Sequence, residues 1–262
     1  MTDRLIWAYG IVPAEAAPSA GATGVAGGAV EALTAGTLSV LVSEVPREEF
    51  DAEPLRANLN DLEWLERVAR DHEAVLDELV AQTTVVPLRL CTIFADRDGA
   101  RHMLEREREP LVEALGRLEG RQEWGVKLLV DGDRLAAAAA PASEPASGEG
   151  GAAYLARRRT ERQTREAARS LAAQLVDEVD GALRGHAIAA ARLRPQNREL
   201  SGYTGDMLLN AAYLLDADEV DALRATADEL QERHADHGAR IIVTGPWPPY
   251  NFAAGEAAQQ PA

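Results

Sequence analysis

Runs of apolar residues mark the strands of the N-terminal half of the chain. Arg4 to Ile11 and Thr37 to Val45 are rich in aliphatic and β-branched residues and predict two strands, with Ala29 to Leu33 as a short partner. The run from Thr84 to Phe94 is so apolar that it predicts a buried strand and its exit. Because proline cannot donate a hydrogen bond to a neighbouring strand, Pro87 indicates that this strand begins at the proline or lies at an edge.

Two stretches of the same half show the three- and four-residue spacing of amphipathic helices. The first helix begins near Asn58, with Asn58 or Asn60 as its cap. The second runs from Asp98 to Glu119, where Pro110 either kinks it or starts another helix. The predicted buried stripe of the first helix consists of Leu62, Leu65, Val68, His72, Val75 and Leu79. We interpret His72 as a structural anchor with hydrogen-bonded nitrogens, because a ligand or switch role would need partners that the sequence does not identify.

The C-terminal half predicts four strands and two helices. Trp124 to Val130 alternates as a strand does, whereas residues 131–151 are rich in Ala, Gly, Pro and Ser without periodicity and are interpreted as a disordered loop. The remaining elements are a helix from Ala152 to Leu183, strands from His186 to Leu193 and from Asp206 to Leu215, a helix capped by Asp216 or Asp218 that ends at Gly238, and a strand from Ile241 to Thr244.

The order strand, helix, strand, strand, helix, strand is that of a ferredoxin-like βαββαβ domain. We therefore predict the α+β fold class with two domains. An N-terminal α+β domain covers residues 1–122, and a ferredoxin-like C-terminal domain with an extended aromatic tail covers residues 123–252. Residues 253–262 are interpreted as a flexible tail.

The last apolar strand is followed by a segment that contains Gly245, three prolines and three large aromatic residues. The prolines disfavour both a helix and a continued central strand, which predicts an extended segment. Since aromatic residues make up only 5% of the chain, three of them here indicate a tail that is held by packing. We expect Trp247, Tyr250 and Phe252 to be structural anchors that bind this tail to the protein itself.

The first half of the long C-terminal helix is crowded with arginine. Six arginines follow Tyr154 and Leu155 within fifteen residues of sequence: Arg157, Arg158, Arg159, Arg162, Arg165 and Arg169. A helix of this length reaches about 50 Å, whereas strands of six residues span about 20 Å, so this half must overhang the sheet. It either packs on the first domain or is offered to a partner. We expect Tyr154, Arg157, Arg158 and Arg162 to bind a partner.

Two polar residues interrupt apolar strands of the C-terminal domain. Lys127, the only lysine of the chain, points away from the face that carries the predicted anchor Trp124, and Asn210 lies within Met207 to Tyr213. Because buried polar groups need partners, Lys127 and Asn210 either bond each other across the sheet or bind a partner on an open sheet face.

The composition narrows the function without identifying one. A hydrophobic content of 46%, a charged content of 27% and the absence of a long apolar run predict a soluble protein that does not enter a membrane. The net charge of −16 opposes nucleic-acid binding. Cys91 is the only cysteine, and no catalytic or cofactor motif is present in the sequence. The run from His234 to His237 could hold a metal, but we predict no metal site, no cofactor and no catalytic residue.

Several motifs in order along the chain resemble one protein family, the gas vesicle accessory proteins of the GvpF/GvpL type. The resemblance extends from the first strand to Phe252. Its motifs are Tyr9-Gly10-Ile11, His72, Val86-Pro87-Leu88-Arg89 with Thr92 and Phe94, Glu123-Trp124-Gly125-Val126-Lys127, Ala153-Tyr154-Leu155 with the arginines that follow, Leu209-Asn210-Ala211-Ala212-Tyr213-Leu214, and Gly245-Pro246-Trp247-Pro248-Pro249-Tyr250-Asn251-Phe252. Leu90-Cys91 departs from the Phe-Gly that the family usually has at this place.

The resemblance implies a function. It implies a non-enzymatic protein that is needed to build gas-filled, buoyancy-giving shells, located at the gas vesicle within the cytoplasm. It also implies contacts with the small hydrophobic gas vesicle shell protein and with other accessory proteins. Our main hypothesis is therefore an assembly factor or minor structural component of gas vesicles. The alternative is a ferredoxin-like sensor or enzyme that binds a small molecule on the open sheet face.

Overall fold

The computed structural model describes residues 3–16, 22–140, 151–195 and 205–253. The chain divides into two compact units, Met1–Glu123 with Trp247–Ala262, and Trp124–Pro246. The first boundary lies beside the predicted one at residue 122. The tail differs from the prediction, because it belongs to the first unit and not to the ferredoxin-like unit.

The first unit is built on an antiparallel sheet. Its strands are β1 (Arg4–Pro13), β2 (Glu31–Ala35), β3 (Leu38–Pro46), β4 (Val86–Pro87) and β5 (Ile93–Phe94). The strand order is β2-β3-β1-β4, and β5 also pairs with β1. The pairing of β1 with β3 shifts register between Ala8 and Gly10.

The predicted buried strand from Thr84 to Phe94 is interrupted. Within this run only the short strands β4 and β5 pair with β1. Between them, Cys91 has a left-handed backbone with φ of 64°. A non-glycine residue in this conformation turns the chain out of a strand. Pro87 lies in an edge strand, as one of the two predicted alternatives required.

Five helices complete the described part of this segment: α1 (Arg47–Phe50), α2 (Ala52–Asn58), α3 (Leu62–Val80), α4 (Arg97–Arg106) and α5 (Arg108–Leu118). The predicted cap of α3 was wrong, because the Asp61 carboxylate accepts hydrogen bonds from the backbone N–H groups of Glu63 and Trp64. This start turns Trp64 inward and leaves Leu62 76% exposed, so Leu62 is not part of the buried stripe.

A second helix starts beside Pro110, close to one of the two predicted alternatives, although its first residue is Arg108. The break between α4 and α5 lies at Glu107, and Pro110 is the third residue of α5. The first N–H groups of a helix have no intrahelical partner, so proline at this position removes no hydrogen bond.

The second unit has the ferredoxin-like strand order. Its elements are β6 (Arg121–Val130), α6 (Gly132–Ala139), α7 (Gly151–Arg184), β7 (Ala189–Arg192), β8 (Asp206–Asp216), α8 (Val220–Arg233) and β9 (Arg240–Trp247). The sheet order β7-β8-β6-β9 places the four strands as a βαββαβ sandwich requires. The predicted α+β fold class is confirmed. One face of this sheet packs on α7 and α8 through a core that includes Val126, Tyr213, Val179 and Leu223.

Two local predictions in this half were wrong. Residues 132–139 of the predicted disordered loop form α6, because Asp131 caps an alanine-rich run by accepting from the N–H groups of Asp133 and Arg134. Residues 141–150 of that loop, and 254–262 of the predicted flexible tail, lie outside the described residues. Neither Asp216 nor Asp218 caps α8, which follows the 3-10 turn Ala217–Glu219 directly.

The prolines of the tail also allow more structure than predicted. Strand β9 continues through Pro246 to Trp247, which an edge position permits. The chain then forms the short helix α9 (Tyr250–Ala253), where we had predicted an extended segment.

Candidate partner-binding site

The first half of α7 is exposed on all sides. Every described side chain from Tyr154 to Gln163 is exposed, over almost three helical turns. The fraction exposed is 50% for Tyr154 and 68% for Leu155. A helix normally buries one apolar stripe, so a segment that buries none has a surface available to another molecule. We call residues 154–169 of α7 the arm.

The arm is basic, although the chain as a whole is strongly acidic. It carries six arginines against only two glutamates, Glu161 and Glu166. The Arg158 Nε–H donates to the Tyr154 hydroxyl at 3.2 Å, and the Arg158 guanidinium lies 5.8 Å from the Tyr154 ring centroid. Arg162 pairs with Glu166 at 3.1 Å. The Arg158 contacts hold a guanidinium group beside an exposed aromatic ring, and both residue types are common in protein interfaces.

The second half of α7 fixes the arm to the sheet. Leu175, Val179 and Leu183 are almost completely buried in the core of the unit. Asp180 on the same half is 2% exposed, and its carboxylate accepts the Tyr213 hydroxyl at 2.6 Å. The helix therefore changes character within its own length, from a buried base to an exposed arm.

The other predicted sheet-face site is not on an open surface. Asn210 is 9% exposed and donates its side-chain N–H to the Arg194 carbonyl at 3.0 Å. Lys127 is half-buried, and its face also carries Leu129 and Leu214, which are 2% and 3% exposed. The prediction of an open face was wrong, since apolar residues of that face are buried. Nothing on this face supports the sensor or enzyme alternative, which stays a prediction.

His72 lies at the centre of a buried aromatic group. The Trp7 Nε1–H donates to His72 Nδ1 at 3.0 Å, so Nε2 carries the proton and donates to the Leu88 carbonyl at 3.2 Å. Tyr9 stacks on the imidazole with a centroid distance of 5.3 Å. Burial lowers the pKa of His72 to about 4 and outweighs the opposing effect of the Leu88 hydrogen bond. The ring is therefore neutral at pH 7 and has both nitrogens satisfied.

The tail is held by polar contacts that the sequence pattern did not identify. Glu123, which is 4% exposed, accepts the backbone N–H of Asn251 at 3.0 Å and its side-chain N–H at 2.6 Å. The Tyr250 hydroxyl donates to Glu73 at 2.9 Å, and Phe252 is 7% exposed. Burial raises the pKa of Glu123 to about 7, although the Asn251 hydrogen bonds oppose the change.

Trp247 and Trp124 differ in burial. Trp247 is 46% exposed, so its side chain is only partly buried, and its role as an anchor stays a prediction. It ends strand β9, before the chain reaches the better-buried Tyr250 and Phe252. Trp124 is 4% exposed and packs in the core of the second unit, with the Arg224 guanidinium 4.7 Å from its ring centroid.

The histidines near the end of α8 form a pair without a metal-binding geometry. The rings of His234 and His237 stack with centroids 5.5 Å apart, and His234 Nε2 lies 3.1 Å from a carboxylate oxygen of Glu178. Within the described residues, no group of three or more His, Cys, Asp and Glu side chains is arranged to hold a metal ion. No helix in the described part of the chain is long and apolar enough to cross a membrane.

The fold first defines the class of the protein: it has two α+β units, and the second unit has the ferredoxin-like strand order. The sequence profile of the gas vesicle synthesis proteins GvpL/GvpF matches residues 5–254. The chain belongs to this family, which confirms the resemblance seen in its motifs. A role in gas vesicle formation follows from the family.

Individual relatives and solved structures agree with this assignment. Gas vesicle protein L of Streptomyces sp. (strain CB03234) is 39% identical over 96% of this chain and 94% of its own. Gas vesicle protein F2 of Halobacterium salinarum is 26% identical over 99% of both chains. The crystal structure of the gas vesicle protein GvpF from Anabaena sp. PCC7120 covers 97% of both chains with a TM-score of 0.72 and 20% identity, which shows a shared fold.

Proposed function

We propose that this protein is a non-enzymatic assembly factor that binds the small hydrophobic gas vesicle shell protein in the cytoplasm during gas vesicle formation. Membership of the family supports a role in gas vesicle formation, and the exposed arm supports binding to another protein. Other accessory proteins are further partners of the same assembly.

The exposure of the arm is the observation that carries the proposal. Leu155 is 68% exposed and Tyr154 is 50% exposed at the end of a helix segment with no buried stripe. Exposed apolar side chains rimmed by charge are typical of surfaces that bind another protein. Tyrosine and arginine are also the residue types that contribute most to binding energy in such surfaces.

The apolar surface of the shell protein explains why the arm would bind it. A subunit that exposes apolar surface before it polymerises aggregates unless another protein covers that surface. Tyr154 and Leu155 supply apolar contact area, while Arg157, Arg158 and Arg162 keep the complex charged and hydrated. We place the contact on these five residues and no longer on Lys127 or Asn210.

Removal of the arm arginines tests the proposal. The triple variant Arg157→Ala, Arg158→Ala, Arg162→Ala should co-purify with the shell protein at least about fivefold less well, the factor for loss of about 1 kcal/mol of binding energy. The matched control is Arg56→Ala, Arg67→Ala, Arg106→Ala, which removes three exposed arginines from other helices. The control should bind as the wild type does.

A second variant tests the apolar end of the arm independently of charge. Leu155→Ser should also weaken capture of the shell protein, whereas Leu62→Ser, at another exposed leucine, should not. Unchanged capture by both the arginine variant and Leu155→Ser would contradict the proposal.

A further inference from the structure

Four arginines form a straight stripe along the arm. Arg158, Arg162, Arg165 and Arg169 follow one another at steps of four, three and four residues. Residues at these steps lie on the same side of a helix, so the four guanidinium groups extend over about 16 Å of the helix axis. All four side chains are exposed.

Helix α8 carries a stripe of the opposite charge with the same spacing. Asp228 and Glu232 follow Asp221 by seven and eleven residues, as Arg165 and Arg169 follow Arg158. Ala225 takes the place that corresponds to Arg162. The three acidic side chains are exposed, whereas Leu223, on another side of α8, is completely buried. The acidic stripe therefore faces solvent and matches the arginine stripe in length.

Neither stripe is neutralised by its own unit. Within the described residues, Arg165, Arg169 and the three acidic residues of α8 form no ion pair, and Arg162 pairs only with the exposed Glu166. The two arginines of α8 point elsewhere. Arg224 stacks over Trp124, and Arg233 binds Glu178 at 2.8 Å. Each stripe consequently keeps its charge available to a second molecule.

We propose that the arginine stripe of one copy docks on the acidic stripe of α8 of a second copy of this chain. Opposite charges at equal spacing allow several pairs to form at once, which a single exposed pair could not sustain. The contact joins two different surfaces, so each copy keeps one unused stripe. Such a head-to-tail contact continues into rings or open chains.

Self-association goes beyond the proposed function and needs no shell protein. Arg158 and Arg162 belong to both surfaces, so a second copy and the shell protein compete for the arm. An arm that is bound to a second copy is therefore released from that copy when shell protein binds it instead. The two proposals can fail separately, because self-association is measured with the purified protein alone.

The net charge of −16 opposes contact between two copies and determines the conditions of the test. At about 0.1 M salt the Debye length is about 10 Å, so repulsion across the whole molecule is largely screened. Paired charges in contact are screened much less. Sedimentation equilibrium at this salt concentration should show an average mass that rises with protein concentration beyond that of a dimer.

A charge exchange between the stripes provides the decisive experiment. The variants R158E/R165E/R169E and D221K/D228K/E232K should each weaken self-association at least about tenfold, because like charges then face each other. Mixed in equal amounts, the two variants should associate again, since each reversed stripe meets its new complement. The variant R56E/R67E/R106E serves as a control and should associate as the wild type does.

The mixture keeps the test independent of folding defects. Restored association shows that both variants are folded and that the stripes meet. A wild-type protein that stays monomeric at all concentrations would overturn the proposal, as would variants that self-associate like the wild type. A mixture that stays monomeric although both variants have the wild-type circular dichroism spectrum would overturn it as well.

Discussion

His72 and Asp180 take corresponding places in the two units but satisfy burial in different ways. His72 lies on α3 and binds Trp7 of β1, while Asp180 lies on α7 and binds Tyr213 of β8. Each is a polar residue on the long helix of its unit, and each is joined to an aromatic residue of an inner strand. His72 is completely buried and neutral, with one partner for each nitrogen.

Asp180 is buried as a charged group and needs counter-charges. Burial by itself raises the pKa of Asp180, but the hydrogen bonds from Tyr213, Arg184 and Arg192 together outweigh it and leave the pKa below its usual value. The two arginines donate at 2.9 and 2.8 Å, and their side chains remain 44% and 50% exposed. A neutral residue with its hydrogen bonds satisfied can therefore lie in the middle of a core. A buried charged residue lies where its hydrogen-bond partners still reach solvent.

Removal of the buried Asp180 carboxylate should have the largest effect on stability. Asp180→Ala leaves the buried Tyr213 hydroxyl without its acceptor and removes the charge-assisted hydrogen bonds from Arg184 and Arg192, so we expect the free energy of unfolding to fall by about 3 to 5 kcal/mol. Urea denaturation at pH 7 measures this loss as a lower transition midpoint at unchanged slope.

Asp177→Ala is the matched control for that experiment. Asp177 also pairs with Arg192, at 3.3 Å, but its side chain is 75% exposed. An exposed ion pair contributes less than about 1 kcal/mol. Equal losses in the two variants would contradict the distinction between a buried and an exposed carboxylate.

Removal of the neutral His72 imidazole should lower the stability somewhat less. His72→Leu keeps an apolar side chain of similar size but leaves the Trp7 Nε1–H and the Leu88 carbonyl without partners. Each unsatisfied buried group costs about 1 to 3 kcal/mol, which gives about 2 to 6 kcal/mol for the two groups. Because burial of the more apolar leucine offsets part of this cost, the free energy of unfolding should fall by about 2 to 4 kcal/mol. His102→Leu, at an exposed histidine of α4, should change it little. If His102→Leu cost as much, the loss could not be ascribed to the buried hydrogen bonds.

Local sequence patterns predicted the helices and strands better than the hydrogen bonds between them. The three- and four-residue spacing placed His72 on the buried side of α3, and strand and helix order was enough to predict the ferredoxin-like unit. The partners of these residues are distant in sequence. Asp180 and Tyr213 are 33 residues apart, and Glu123 and Asn251 are 128 residues apart. No periodicity of a single segment can indicate such a pair.

The failures in local structure have physical causes as well. Asp51 accepts a hydrogen bond from the Ala52 N–H and starts α2 within a charged segment, where no apolar periodicity identified a helix. Helix length alone predicted that the arm overhangs the sheet, but it left open whether the arm is packed or exposed. The burial of the sheet face around Asn210 could not, because a strand pattern does not show what covers each face.

The pH dependence of stability contrasts His72 with another buried titratable group of the first unit, Glu123. The pKa of His72 is about 4 in the folded protein and about 6.5 in the unfolded chain, so this residue makes stability rise with pH across that window. The pKa of Glu123 is about 7 when folded and about 4.3 when unfolded. Its contribution is fully present below the unfolded value and is lost as pH rises through 7.

The two contributions oppose each other between about pH 4.5 and 6.5, each with a slope of roughly 1.4 kcal/mol per pH unit. Glu123→Gln removes one of them, because glutamine stays neutral as the protonated carboxyl does. Relative to the wild type, the variant should therefore gain stability as pH rises, by roughly 1.4 kcal/mol per unit. Urea denaturation in steps of half a pH unit measures the difference.

The reverse variant makes the comparison stricter. His72→Leu should show the opposite slope relative to the wild type over the same window, since only Glu123 then titrates. The double variant should show neither slope. Glu73, whose pKa is raised by burial, is present in every variant and cancels in these differences. Parallel pH profiles for wild type and Glu123→Gln would mean that the Glu123 carboxyl stays ionised while it holds Asn251, and that the first unit also tolerates a buried charge.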